Sequence, residues 1–246
     1  MITTQNITKT YRRYNRPALD SVSFHIARGT VCGLLGQNGA GKSTTLNLLT
    51  GCLIPDAGKI FIDGIDLSAD PLQAKRRIGY APENPPLYPD MTLGEYLTFV
   101  ARAKGCKDIP AETARVMRLT ETEPMRTRLL KTLSKGYRQR AGLAQALVGD
   151  PDILILDEPT IGLDPRQITA MRTLVAELGR TKTILLSSHI LSEITLLCGQ
   201  IIILAQGKLV ADDTPEGILK NTGCAALEDA FLKLTGVPDD VEEVDV

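Results

Sequence analysis

A chain of 246 residues with 43% hydrophobic content is long enough to bury one large core. Its net charge of −1 argues against a nucleic-acid footprint, and no run approaches the roughly 18 consecutive apolar residues of a spanning helix. The start MITTQNITKTYRRYN lacks the apolar stretch of a signal peptide, and five cysteines at 32, 52, 106, 198 and 224 show no CxxC or metal-ligand spacing; both imply a reduced, cytosolic protein. Residues 1–29 read as antiparallel strands, in which His25 alternates with Phe24 and Ile26 and is taken as structural. Thr30 to Leu35 is a short apolar run read as a buried strand, and Lys42 to Thr50 is a helix candidate.

Between them Gly36, Gln37, Asn38, Gly39, Ala40, Gly41, Lys42 and Ser43 match the phosphate-binding pattern GxxxxGK[ST] at every fixed position, with Thr44 following. Glycines let the backbone N–H groups converge on a β-phosphate, and the helix start adds its positive dipole end. Lys42 then reaches the β- and γ-oxygens, and the Ser43 hydroxyl binds Mg²⁺.

Residues 58–67 continue the antiparallel pattern, with Asp63-Gly64 as a hairpin turn. A strand from Ile78 to Pro82 is followed by Pro85, Pro86 and Pro89, a stiff connector into helical segments at about 92–104, 111–119 and 135–149. From Pro124 to Gly149 the chain carries Arg126, Arg128, Lys131, Lys135, Arg138 and Arg140 without an acid, which reads as a basic face. Ile153 to Leu156 is an unbroken apolar run, the mark of a parallel strand covered on both faces, and it ends in Asp157 and Glu158. Ligands of open α/β sheets sit at the carboxyl ends of strands. Asp157 is therefore expected to hold Mg²⁺ and Glu158 to polarise the attacking water. A strand from Thr183 to Ser187 precedes His189. A second hairpin around Gly207 joins Ile201–Ala205 to Lys208–Ala211. Pro238 to Val246 carries five acids in nine residues, a composition that favours disorder.

The expected fold is α/β: a P-loop NTPase core with a mainly parallel sheet, an N-terminal antiparallel β subdomain and an inserted helical lobe. Strands around Val31, Ile78, Ile153 and Ile184 are expected to form the nucleotide sheet. One domain, 1–236, divides into a core lobe of about 1–82 and 150–236 and a helical lobe of about 83–149.

The chain resembles the ATP-binding subunits of ABC transporters over nearly its whole length. Leu133, Ser134, Lys135, Gly136 and Tyr137 look like that family's LSGGQ signature, agreeing at Leu133, Ser134 and Gly136, and Gln139 and Arg140 extend the match. The resemblance implies ATP and Mg²⁺ as ligands and a dimer with a second such subunit, in which each ATP lies between one subunit's P-loop and the other's Ser134 and Gly136. It implies adenine stacking on Tyr11, with Tyr14 as the competing residue. Gly162, Leu163 and Asp164 resemble the loop that crosses to the partner, and His189 resembles the switch histidine at the γ-phosphate.

The chain departs from the family at Glu83, where glutamine is usual. A carboxylate there can still ligate Mg²⁺, and its added charge implies a stronger dependence of ATP binding on the cation. The region from Glu83 to Phe99 is the family's docking place for a separate membrane permease, with Tyr88 and Met91 as the exposed contacts. The signature variant and the ending Leu227–Thr235 resemble the exporter-type branch. The resemblance thus implies an ATPase driving translocation from the cytosolic face of a membrane. A ribosome- or DNA-associated ATPase is the alternative, for which the long heptad arms or a second cassette are missing from the sequence.

Overall fold

The computed structural model describes residues 1–11 and 16–236; Tyr14 and the acidic run 238–246 lie outside them. In chain order the elements are β1 (Ile2–Lys9), β2 (Leu19–Ile26), β3 (Val31–Gly36), α1 (Lys42–Leu49), β4 (Ala57–Ile62), β5 (Ile65–Asp66) and α2 (Pro71–Arg76). Next come β6 (Ile78–Ala81), α3 (Leu93–Ala103), α4 (Ile109–Leu119), α5 (Lys135–Leu147), β7 (Ile153–Asp157) and α6 (Pro165–Gly179). The chain continues through β8 (Thr183–Ser187), α7 (Leu191–Leu197), β9 (Gln200–Ala205), β10 (Lys208–Asp213), α8 (Pro215–Thr222) and α9 (Leu227–Thr235).

Two sheets result, a four-stranded antiparallel one in the order β2-β1-β4-β5 and a six-stranded one in the order β10-β9-β3-β8-β7-β6. In the larger sheet β9, β3, β8, β7 and β6 run parallel, and β10 closes one edge antiparallel to β9. The expected sheet omits β9. Gln200–Ala205 does form a hairpin with β10, but its other edge hydrogen-bonds to the P-loop strand β3, and its four consecutive buried residues Ile201–Leu204 are the double-sided apolar run of a central strand.

Side chains alternate between the two faces of the larger sheet, as strand geometry requires. Leu154 and Leu156 of β7 join the apolar cluster under the helices, whereas Ile153 and Ile155 join the cluster shared with α1 and the antiparallel sheet. Both faces are thus sealed, and the polar chemistry is driven to the strand ends.

Local capping explains the helix boundaries. Thr92 and Glu95 form a reciprocal capping box that starts α3. The α4 helix begins two residues before its expected start because Asp108 accepts from the Ala111 N–H at 3.0 Å and Pro110 fits the first turn. At its other end α5 stops at Leu147, where Val148 turns extended with ψ 133°. In the connector before α3, Tyr88 is 50% exposed and meets Tyr96 and Phe99 edge to face at 5.9 and 5.7 Å. The expectation for Met91 is corrected: it is half-buried against the main core, and Phe99, 44% exposed, is the apolar side chain on the surface beside Tyr88.

Candidate functional site

The P-loop connects the end of β3 to α1. Gly41 caps α1 with φ 109°, and a β-carbon there would lie 2.7 Å from the Ala18 carbonyl and from Leu19, so a side chain is excluded both by conformation and by space. The Lys42 ammonium donates to the carbonyls of Gly36 at 2.7 Å and Gln37 at 3.2 Å, folded back over its own loop. Burial pushes this ammonium below its ordinary pKa, while the nearby charges of Glu158 and Asp157 oppose that shift. Asp157 at the end of β7 and Glu158 just after it thus lie near enough for their charges to act on the P-loop lysine, as the strand-end argument requires.

A dense set of hydrogen bonds fixes those acids. Ser187 at the end of β8 donates from Oγ to Asp157 Oδ1 at 2.6 Å and accepts from the Glu158 N–H at 2.9 Å. Glu158 adopts a left-handed backbone, φ 49°, which costs a non-glycine residue roughly 1–2 kcal/mol. Its carboxylate is buried and meets His189 Nδ1 at 2.7 Å and the His189 N–H at 3.3 Å. A carboxylate held this way can orient a water, and the exposed imidazole beside it can donate to an anion.

Tyr11 lines a cleft of about 440 Å³ with Asn38, Gly39, Lys42, Ser43 and Thr44, its hydroxyl 3.3 Å from Thr44 Oγ1. Its ring thus stands next to the loop, within the same cleft. His25, in contrast, lies on the exposed face of β2 and hydrogen-bonds to Thr3 at 2.9 Å.

Ser134 caps α5 by accepting from the Tyr137 N–H at 3.3 Å, leaving Lys135 and Ser134 at an exposed helix start. Gly136 is buried because the Gln167 side chain lies where its β-carbon would be, at 2.7 Å. That glutamine belongs to the capping box of α6, in which Asp164 accepts from the Gln167 N–H at 3.0 Å. Signature helix and 162–164 loop thus touch within one subunit. Neither is joined to the P-loop by a hydrogen bond among the described residues.

Glu83 lines a different groove, about 430 Å³, together with Pro85, Lys131, Lys135 and Arg138. The buried Gln139 donates to the Glu83 carbonyl at 3.4 Å. Among the described residues Glu83 has no hydrogen bond to Ser43 or Asp157, and no group of three His, Cys, Asp or Glu side chains is arranged to hold a metal. The basic face is partly answered by acids from outside it: Arg140 pairs with Glu121 at 2.6 Å and Lys131 with Asp90 at 2.7 Å. Sequence reasoning missed Ser187, Thr160, Ser188 and Glu193 as supports of the acids and the histidine. Three of them flank motif residues, whereas Glu193 is a lone acid in an apolar helix.

Among the described residues no helix is long and apolar enough to cross a membrane. A family model described as "ABC transporter" matches residues 19–161. The Nod factor export ATP-binding protein I of Burkholderia pseudomallei (strain 1710b) is 38% identical over 225 residues, covering 88% of this chain and 73% of that protein. The linearmycin resistance ATP-binding protein LnrL of Bacillus subtilis (strain 168) is 33% identical over 241 residues, covering 96% and 75%. Among solved structures, an ATP-binding subunit of an ABC transporter superposes with TM-score 0.87 at 32% identity, covering 96% of this chain and 100% of the other. A dimeric ATP-binding cassette in a post-hydrolysis state, bound to ADP and Pi, gives TM-score 0.80 at 25% identity over 87% and 98%.

Proposed function

The chain belongs to the ABC transporter family as an ATP-binding and ATP-hydrolysing subunit, and we propose that two copies close around two ATP molecules to drive export through a separate membrane permease. The observation that carries this reading is the Glu158–His189 hydrogen bond at 2.7 Å, on an acid whose charge acts on Lys42. In the cycle, Tyr11 stacks on the adenine, and the N–H groups of Asn38 to Ser43 with Lys42 hold the phosphates. Glu158 orients a water toward the γ-phosphorus. A new O–P bond forms as the β–γ bridging P–O bond breaks, the electron pair leaves on ADP, and the water's proton passes by way of Glu158 to the released phosphate. His189 hydrogen-bonds the γ-phosphate, and Ser134 and Gly136 of the partner subunit close the other side, with Asp164 at the subunit boundary.

The exposed hydroxyl of Ser43 and the Asp157 carboxylate supply the hard oxygen donors that Mg²⁺ prefers, so these residues fit the cation; Glu83 stands as a further candidate. When bound, Mg²⁺ neutralises charge on the phosphates. The region from Glu83 to Phe99, with exposed Tyr88 and Phe99, is proposed as the permease contact, which would hold the protein at the cytosolic face of the membrane. The exporter direction draws on the Nod factor export and linearmycin resistance relatives.

Size-exclusion chromatography of Glu158→Gln with and without Mg-ATP, paired with phosphate release by the unmutated protein, tests the reading. Removal of a positioned base should cost about 10²- to 10⁴-fold in turnover, so the variant traps an ATP-dependent dimer. A variant that stays monomeric with Mg-ATP, beside an unmutated protein that releases no phosphate, would reject it.

A further inference from the structure

Glu193 is 1% exposed, although it carries a carboxylate on a seven-residue helix, α7. A buried charge is tolerated when it is paired and hydrogen-bonded, and this one has three partners from three segments. Thr160 donates from Oγ1 to Oε2 at 2.7 Å, Ser188 donates from Oγ to the same oxygen at 3.4 Å, and Arg172 Nη2 of α6 donates to Oε1 at 3.2 Å. Thr160 follows Glu158 by two residues, and Ser188 directly precedes His189. The Ser188 hydroxyl also accepts from the Ile190 N–H at 3.0 Å, so His189 is bracketed on both sides. The Leu163 N–H donates to the Thr160 carbonyl at 3.2 Å, which connects the 162–164 loop to the same anchor.

Stability alone gives little reason for this arrangement. Replacing a buried ion pair by apolar residues of similar volume is often neutral or stabilising, and Glu193 neighbours buried Ile194 on the same helix. What the carboxylate does that a leucine could not is tie the left-handed turn at Glu158 to the loop of His189. We infer that Glu193 is a positioning residue for the Glu158–His189 pair, holding acid and histidine in register and joining both to the partner-facing loop through Thr160 and Arg172. This inference rests on the hydrolytic reading above for its consequence in catalysis, but its structural content is independent of it.

The chain has two histidines, His25 and His189, so ring-labelled histidine gives two imidazole signals by NMR, and His25 serves as the internal control. Thr160→Val removes one hydrogen bond while leaving the Arg172–Glu193 pair intact, and Glu193→Gln changes the charge at constant shape. Both variants should move the His189 signal toward its position in Glu158→Gln and leave His25 in place. Turnover should fall on the order of 10- to 10²-fold, the cost of a small misplacement, with KM within about threefold. The double variant should be no slower than the slower single one, because both changes break one connection. An unmoved His189 signal in folded variants, or fully additive losses, would overturn the inference. If the unmutated protein releases no phosphate, the hydrolytic reading fails, and the His189 signal still decides the role of Glu193.

Discussion

Lys42 carries a charge that its own burial disfavours in the resting fold. Its ammonium is partly buried, folded onto the carbonyls of Gly36 and Gln37, and burial depresses its pKa. A depressed lysine pKa means that the folded state disfavours the charged form, a cost present at every pH below the ordinary value of 10.5. Neutral pH lies in that window, so the charge contributes no net stability there. Lys42→Ala should therefore weaken ATP binding by at least about tenfold in a fluorescent-nucleotide titration, the loss of one charge-assisted contact. In calorimetry at pH 7 its melting midpoint should not fall. A clear drop would make Lys42 structural. The residues of this loop were legible in the sequence because phosphate chemistry fixes their types and spacing. Glu158 was singled out by its place at the end of an apolar strand, and His189 by the family resemblance. Glu193 was not, since a buried acid is recognised by the partners that fold around it, and Thr160, Arg172 and Ser188 are scattered over 29 positions.

Between helices and strands the same logic of charge holds the inserted helices to the sheet. Arg115 of α4 donates to Glu112 at 2.7 and 2.8 Å and to the Leu147 carbonyl at 2.9 Å, while Glu112 accepts from the Gly149 N–H at 2.7 Å. Lys182, just before β8, meets Asp150 at 2.7 Å, and Arg115 reaches the same acid at 3.6 Å. The Arg115 hydrogen bond holds the Glu112 carboxyl below its usual range, and the Lys182 hydrogen bond does the same for Asp150. A lowered folded pKa contributes stability above the unfolded value, about 4.3 for glutamate, and that stability is lost as pH falls through the folded value. Glu112→Gln should therefore melt roughly 2–4 °C lower at pH 7, with the gap closing as the pH drops toward 3. A gap that stays constant with pH would show that packing, not charge, is the cause. The α3 and α5 helices fall within two residues of their expected bounds, but the early start of α4 depended on Asp108, and the capping box of α6, Asp164 with Gln167, begins in a loop identified by its resemblance alone.

At the scale of the whole molecule, the sheet order places the ends of β3, β7 and β8 together and leaves Ser134 exposed, with Gly136 buried beside it, at the start of a separate helix. The parallel strands were legible from their apolar runs. The neighbour relation of β9 to β3 was not, because the β9–β10 hairpin signal is local and masks a partner more than 160 residues away. The separation of P-loop from signature makes a firm prediction about assembly. If each ATP lies between Lys42 of one subunit and Ser134 of the partner subunit, a Lys42→Ala protein and a Ser134→Arg protein are each inactive as homodimers. Mixed, they form dimers in which one site combines both lesions and the other has neither. Random pairing makes about half of the dimers mixed, each with one intact site of two, so the mixture should recover about a quarter of the unmutated protein's amplitude. Single-turnover hydrolysis is the suitable readout, because one working site is then enough. No recovery in a mixture shown by cross-linking to contain mixed dimers would reject a shared site and require each subunit to hold its ATP alone.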